Sequence, residues 1–445
     1  MKKRLLMFLF TCGAFLHGMA QRQYTLRECI DTALQKSLQL KSDNYDLAKT
    51  QAGIGQAYSS LLPSVSASGS YQYYFKLQKQ VIPAEVFGGT AGKYEATSLS
   101  VPQSKSLSMQ LNQTLFNASS LIALKAAKVE VNLNELQIRS SREDLVYNVS
   151  ATYYNIQSIL KQQALAKSNL VSDESLLQVT SDQFRAGLAT QTDLDRLTVQ
   201  RDNSKATLQN TSNSLEKQYN MLKLLMNVPL ESGIIVVQDE YDEEAALASQ
   251  QKADFDPTQK TNYRQVLENK KVADLQRRNI KAGYLPTLSL GANYGYSGYN
   301  STANPFKNIN SSWYPSSYVS LSLSIPIFDG FSKKYQIRQQ EITIRKYDVQ
   351  AEQTLQQNRK DVADASADLK SNYITLQSQK RNLVLAEKVL TDVTTQYKSG
   401  LVKLTDAINS QSELETAQNN YINALINIKQ AELNLKKANG TLLNN

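Results

Sequence analysis

From Val319 to Ile327 every second residue is apolar, and Ser320, Ser322 and Ser324 fill most of the gaps. That period of two predicts a strand with one dry face and one wet face. The pattern occurs three more times. Val65, Ala67, Gly69, Tyr71 and Tyr73 alternate with Ser64, Ser66, Ser68, Ser70 and Gln72. Leu107, Met109, Leu111 and Leu115 alternate with Ser106, Ser108, Gln110 and Asn112. Leu288, Leu290, Ala292, Tyr294 and Tyr296 alternate with Ser289, Gly291, Asn293 and Ser297. Each run is about ten residues, the length a tilted strand needs to cross a bilayer. Tyrosines gather toward the loop ends of the first and third runs, as an interfacial girdle would. The loops beyond, 79–103 and 300–316, are rich in Gly, Pro, Ser and Asn. A soluble sandwich whose dry faces meet one another is the alternative. The isolation of these runs between very long helices argues for lipid instead.

Between the strands the chain reads as helix. Residues 117–184 contain neither Pro nor Gly, which allows a continuous helix of about 100 Å at about 1.5 Å per residue. Its counterpart runs from Ser332 to Ser399. Val149, Tyr153, Ile156 and Leu160 follow a 3-4 spacing, as do Leu414, Ala417, Tyr421, Ala424, Ile428, Ala431 and Leu435. That spacing predicts coiled-coil packing. Many core positions are Ala, Ser or Thr, which suits closely packed, nearly parallel helices.

The first 20 residues, with Lys2, Lys3 and Arg4 ahead of an apolar stretch and small residues at Gly18 and Ala20, read as a secretory signal. Cleavage after Ala20 leaves Gln21 first. The formal net charge is +9; without those three basic residues, 46 Lys and Arg face 40 acidic residues. The excess is small and scattered along helices, the pattern of a solvated face and not of a nucleic-acid partner. The only His is His17 and the only Cys are Cys12 and Cys29. The mature chain thus has no imidazole and no internal disulfide. His-based triads and most zinc sites are ruled out, and no P-loop, GxSxG or HExxH pattern is present. No enzyme, cofactor or metal site is expected.

The mature sequence is written twice. SSLLPSVSASGSYQYY (59–74) echoes AGYLPTLSLGANYGYS (282–297), QLNQTLFNAS (110–119) echoes SLSIPIFDGF (322–331), and DQFRAGLATQTDLDRL (182–197) echoes TQYKSGLVKLTDAINS (395–410). We therefore expect a first repeat over 21–230, an acidic linker over 231–260 packed outside the helices, and a second repeat over 261–445. Four strands cannot close a membrane barrel, since the smallest have about eight. An open edge in lipid leaves unpaired backbone groups costing several kcal/mol each. Copies must therefore share one barrel: two would supply eight strands, three would supply twelve.

In this order and duplication the chain resembles the TolC family of outer-membrane efflux proteins. The likeness covers essentially the whole mature sequence and rests on TLRECIDTALQKS, LLPSVSAS with YLPTLSLG, LFN with IFDG, and FRAGLATQTD with YKSGLVKLTD. It implies a mainly α protein with a membrane β-barrel. Three chains would give four strands each to a shared twelve-stranded barrel in outer-membrane lipid, continued by a coiled-coil α-helical barrel across the periplasm. The homotrimer would be the exit duct for an inner-membrane pump joined by a periplasmic adaptor. An exported coiled-coil structural or adhesive protein is the alternative.

The resemblance also assigns residues. Gly187 and Gly400 suit left-handed helix ends, and the tips Gly187-Leu188 and Gly400-Leu401 would receive adaptor hairpins. Thr192-Asp193 and Thr405-Asp406 follow at equal spacing, where helix capping is the structural explanation. The position of Asp406 would face the pore and close its mouth. Asn409 stands where the family often has a second Asp. Val402, with Lys403 beside it, stands where an Arg can lock the mouth. Phe184 and Tyr397 match a latch Tyr, although Phe184 lacks a hydroxyl. A less charged, differently latched gate of Asp406, Asn409, Asp193, Tyr397 and Phe184 is expected.

Overall fold

The computed structural model describes residues 22–238, 255–302 and 312–443. The segment read as a secretory signal and most of the acidic linker lie outside them. In chain order the elements are β1 (Arg22–Tyr24), α1 (Leu26–Lys36), α2 (Leu38–Ser59), β2 (Ser64–Tyr73), β3 (Gln80–Pro83), β4 (Tyr94–Thr97), β5 (Gln103–Phe116), α3 (Ala118–Arg185), α4 (Gln191–Leu225), β6 (Ile234–Val236), α5 (Thr261–Ala282), β7 (Thr287–Asn300), β8 (Trp313–Ser324), α6 (Ser332–Lys398) and α7 (Leu404–Asn439). α3 and α6 are single helices of 68 and 67 residues. No Pro or Gly interrupts either, so every interior N–H keeps its i−4 carbonyl. The chain divides into two compact units, one of residues up to Asn44, Leu136–Arg264 and from Glu352 onward, the other of Tyr45–Glu135 and Gln265–Ala351.

The second unit holds an antiparallel sheet in the order β2-β5-β7-β8. Its register sorts the side chains by face. Val65 pairs with Leu111, Leu111 with Ala292 and Ala292 with Val319, while the next row joins Ser66, Gln110, Asn293 and Tyr318. Because the side-chain period is two, the aliphatic residues of all four strands share one face and most of the serines share the other, which also carries Tyr299, Tyr314 and Tyr318. Across the polar face Ser68 and Ser108 hydroxyls lie 3.0 Å apart, and Ser70 and Ser106 2.8 Å apart. The apolar face is exposed at Val65, Leu107, Met109, Val319, Leu321 and Leu323. A soluble sandwich would bury these residues, so that alternative is set aside. Among the described residues, β2 and β8 each leave one edge unpaired.

The strands differ from the expectation in three places. β8 begins at Trp313, inside the stretch read as loop, and it ends at Ser324 although the alternation runs on. Pro326 has no N–H for a further rung. β5 carries an irregularity between Thr114 and Phe116, which sets Phe116 opposite Leu288. Leu115 is therefore not a fourth rung of the apolar row, because an extra residue flips the alternation. The 79–103 loop contains the β3–β4 hairpin.

In the first unit the predicted 3-4 positions form the core. Val149, Tyr153 and Ile156 of α3 are buried with Cys29, Ala33, Leu222, Met226 and Val236. Ala424, Ile428, Ala431 and Leu435 of α7 pack on Leu369 and Leu376 of α6. The linker's apolar run is β6, which pairs in parallel with β1. It is tied to α3 where the Tyr153 hydroxyl and Gln157 Nε2 donate to the Val237 carbonyl at 2.9 and 2.8 Å. The Cys29 thiol is pushed up to about 12 by burial, with Glu28 adding to it, which makes it an inert packing residue.

Candidate functional site

Two helical turns built to one plan carry most of the candidate residues. At the end of α3, Gly187 has φ +77, its N–H donates to Phe184 O at 3.0 Å, and Leu188 N–H donates to Gln183 O at 2.8 Å. At the end of α6, Gly400 has φ +73, with the matching bonds to Tyr397 O and Gln396 O, both at 2.9 Å. Each is a Schellman cap, whose left-handed residue glycine adopts without the clash a Cβ brings. Three residues beyond each glycine lies the N-cap of the next helix, Thr190 and Lys403. The Asp193 carboxylate accepts from Thr190 Oγ1 at 2.7 Å and from Thr190 N–H at 3.1 Å. Asp406 accepts from Lys403 N–H at 3.1 Å. Both aspartates thus stand at the third helical position and back-bond to the cap, one half of a capping box. The bonds from Thr190 hold the Asp193 carboxyl below its ordinary pKa. Thr192 and Thr405 are exposed; the caps lie two residues before them.

The turns face each other across an open cleft of about 710 Å³, lined by Leu188, Asp193 and Arg196 from one and by Tyr397, Gly400 and Lys403 from the other. Beneath it Leu197, Leu404, Ala407 and Tyr397 form a small core, with Val402 packed against it. The Tyr397 hydroxyl donates to Gln183 Oε1 at 2.8 Å and lies 3.4 Å from Thr180 Oγ1. That joins the last turns of α3 and α6. Phe184, its counterpart in the repeat, is 40% exposed where Tyr397 is 9% exposed. The structure therefore brings Tyr397 and Asp193 into the cleft and leaves Phe184 outside the packed cluster. Asp406 and Asn409 are exposed. Leu188 and Leu401 are 80% and 76% exposed, large apolar side chains at the tips of otherwise polar turns.

A polar cluster deeper among the helices escaped the sequence reading. Asp173 of α3 is buried and accepts from Ser204 Oγ of α4 at 2.5 Å. On α7, Gln411 Nε2 donates to Glu415 Oε1 at 3.3 Å. Burial raises the pKa of both carboxyls, and Asp173 adds to the rise at Glu415. The available signal was a polar residue, Asp173, one turn ahead of the core residues Leu176 and Leu177. In a chain so rich in Asn, Gln and Ser that signal does not stand out.

On the sheet, Tyr71, Tyr296 and Trp313 fall on the apolar face toward the loop ends of their strands, with Tyr294 on the same face at the middle of β7. Lys105 lies in the same rows, its stem over Gly298 and its ammonium 4.4 Å from the centre of the Trp313 ring. Among the described residues no helix is long and apolar enough to cross a membrane, and no group of three His, Cys, Asp or Glu could hold a metal ion.

Residues 29–228 and 267–441 match the family described as Outer membrane efflux protein. Outer membrane protein TolC of Escherichia coli (strain K12) is 22% identical over 444 residues, covering 96% of this chain and 86% of that protein. The alkaline protease secretion protein AprF of Pseudomonas aeruginosa is 24% identical over 357 residues, covering 74% of this chain and 71% of that protein. Among solved structures, the Campylobacter jejuni CmeC outer membrane channel matches with a TM-score of 0.73 at 14% identity, covering 94% of this chain and 85% of that one. A membrane protein from Pseudomonas aeruginosa matches at 0.74 and 19% identity, covering 93% of each chain. At these identities the superpositions establish the fold.

Proposed function

The chain belongs to the outer membrane efflux protein family, and from that membership we propose how its parts work as an outer-membrane exit duct for efflux or type I secretion. Three copies share one twelve-stranded barrel in the outer membrane, and their helices continue it into the periplasm as a coiled-coil barrel. The two halves of each chain, 21–230 and 261–445, are equivalent structural repeats joined by the linker. The duct catalyses nothing; cargo moves through a polar lumen under the drive of an inner-membrane pump. A single observation carries this reading. The four-stranded sheet has an exposed apolar face, a serine-lined opposite face and, among the described residues, two unpaired edges. In lipid such edges must be paired by other strands. A water-borne coiled-coil protein would gain nothing from that face.

The turns are the periplasmic mouth. Leu188 and Leu401, beside Gly187 and Gly400, supply the apolar contact for adaptor hairpins. Asp406 and Asn409 line the opening, Asp193 stiffens its own turn, and Tyr397 is the latch through Gln183. Phe184 takes no latch bond. Val402 sits where a latching Arg would be and packs on the small core beside Tyr397. Three Asp406 carboxylates around one axis would concentrate cations. In planar lipid membranes the purified protein is expected to conduct with cation preference, and Asp406→Ala to reduce that preference. An unchanged reversal potential removes Asp406 from the mouth. Failure of the wild type to conduct at all contradicts the duct.

A further inference from the structure

The junction between β8 and α6 carries a second feature that the duct does not require. The exposed apolar residues Val319, Leu321 and Leu323 of β8 are followed, beyond its last rung, by an exposed apolar stretch of Ile325 and Ile327, the latter 95% exposed. It ends at Phe328 and Phe331, also exposed, whose rings meet edge-on at 5.3 Å. Phe331 has φ +65, directly after Gly330 at φ +65. An aromatic residue in that conformation is uncommon and carries strain. Two ammonium groups follow at once. Lys333 is already matched: its Nζ is 3.1 Å from Asp329 Oδ2, which also accepts the Lys333 N–H at 3.1 Å. Its stem lies against Gly283 and its Nζ is 5.4 Å from the centre of the Tyr284 ring. Lys334 has no carboxylate within ion-pair distance among the described residues; its Nζ lies 5.5 Å from the centre of the Phe331 ring. These groups surround a cleft of about 310 Å³ with one uncompensated positive charge.

We infer that this cleft binds the phosphodiester headgroup of an anionic glycerophospholipid from the periplasmic leaflet of the outer membrane. The inference rests on the outer-membrane reading, which sets this end of the sheet at the periplasmic interface. The occupant follows from two observations. The lipid-facing residues Leu321 and Leu323 are followed by the exposed Ile325 and by Ile327, which lines the cleft, so acyl chains lie along these side chains. The charge at the end of that stretch is one cation beyond the acid that balances Lys333. A phosphodiester carries one negative charge, and ammonium groups near a membrane surface attract such headgroups. Aromatic rings at the boundary accept the glycerol region, being apolar at one side and tolerant of water at the other.

The test uses the full-length protein, extracted and stripped of lipid in detergent. Dioleoylphosphatidylglycerol, dioleoylphosphatidylcholine and inorganic phosphate are each titrated and the bound species counted by native mass spectrometry. Wild type should prefer phosphatidylglycerol, and Lys334→Gln should weaken it about fivefold. Phe328→Ala should weaken both lipids. Equal retention of phosphatidylglycerol by wild type and Lys334→Gln overturns the site. So does displacement of lipid by inorganic phosphate, which would mark a free-phosphate site. So does a change in subunit number in Lys334→Gln, which would mark a seam between copies. If wild type conducts in planar membranes yet shows no lipid preference, this inference falls alone; if it neither inserts nor conducts, the duct falls with it.

Discussion

Leu321→Arg costs about 2–4 kcal/mol of membrane-inserted stability, the penalty for a guanidinium facing the bilayer midplane, whereas Ser322→Arg beside it is close to neutral. The two residues are adjacent, both exposed in the chain, and both in the interior of β8. Leu321 pairs with Leu290 and Ser322 with Ser289, so the pair differs in face and in little else. Strand position and the introduced guanidinium are common to both variants, and Ser322→Arg adds the greater volume, so a larger loss at Leu321 cannot come from size. What remains is the medium each side meets. Reversible unfolding in lipid vesicles by denaturant reads the difference as a shift in midpoint. Comparable losses from both variants would mean that the two faces meet the same medium.

Tyr153→Ala costs about 3–5 kcal/mol, as removal of a large, fully buried aromatic side chain does. Tyr153 has no exposed surface and packs among Cys29, Leu222, Met226 and Val236. Its hydroxyl donates to Val237 O at 2.9 Å, with Tyr24 O 3.3 Å away. One side chain therefore pins α3 to both strands of the small β1–β6 pair. Tyr153→Phe should cost about 1 kcal/mol, since the ring stays and one hydrogen bond goes. The Val237 carbonyl keeps its bond from Gln157 in either variant. Chemical denaturation of the detergent-solubilised protein separates the two terms. If Phe were as damaging as Ala, the hydroxyl and not the ring would hold the linker strand.

Long regular elements were legible in the sequence because one rule governed many residues in a row. An uninterrupted stretch without Pro or Gly read as 117–184 is a helix from Ala118 to Arg185. Four alternating runs are the four strands of one sheet. Features set by a single residue were harder. Pro326 ends β8 two residues after the last rung, yet the apolar alternation passes through it undisturbed. The irregularity before Phe116 shifts a face by one residue, and nothing in LNQTLFN marks it. The glycine caps were legible because φ near +75 leaves few other choices. The capping role of Asp193 and Asp406 was legible as a class, but the caps themselves are Thr190 and Lys403. The hydroxyl that Phe184 lacks was legible, but the partner of the Tyr397 hydroxyl was not, because Gln183 lies on another helix more than two hundred residues earlier in the chain.

Closure of the barrel by neighbouring copies is the claim on which the lumen, the mouth and the lipid contacts all depend. The direct measurement is the mass of the protein extracted from outer membranes in mild detergent, weighed as an intact particle with its detergent removed in the gas phase. Three chains per particle is the result expected from four strands each and an open edge at β2 and β8. A single chain that stays in solution without detergent would contradict it, because the exposed face of Val65, Leu107, Val319 and Leu321 would then have water as its partner.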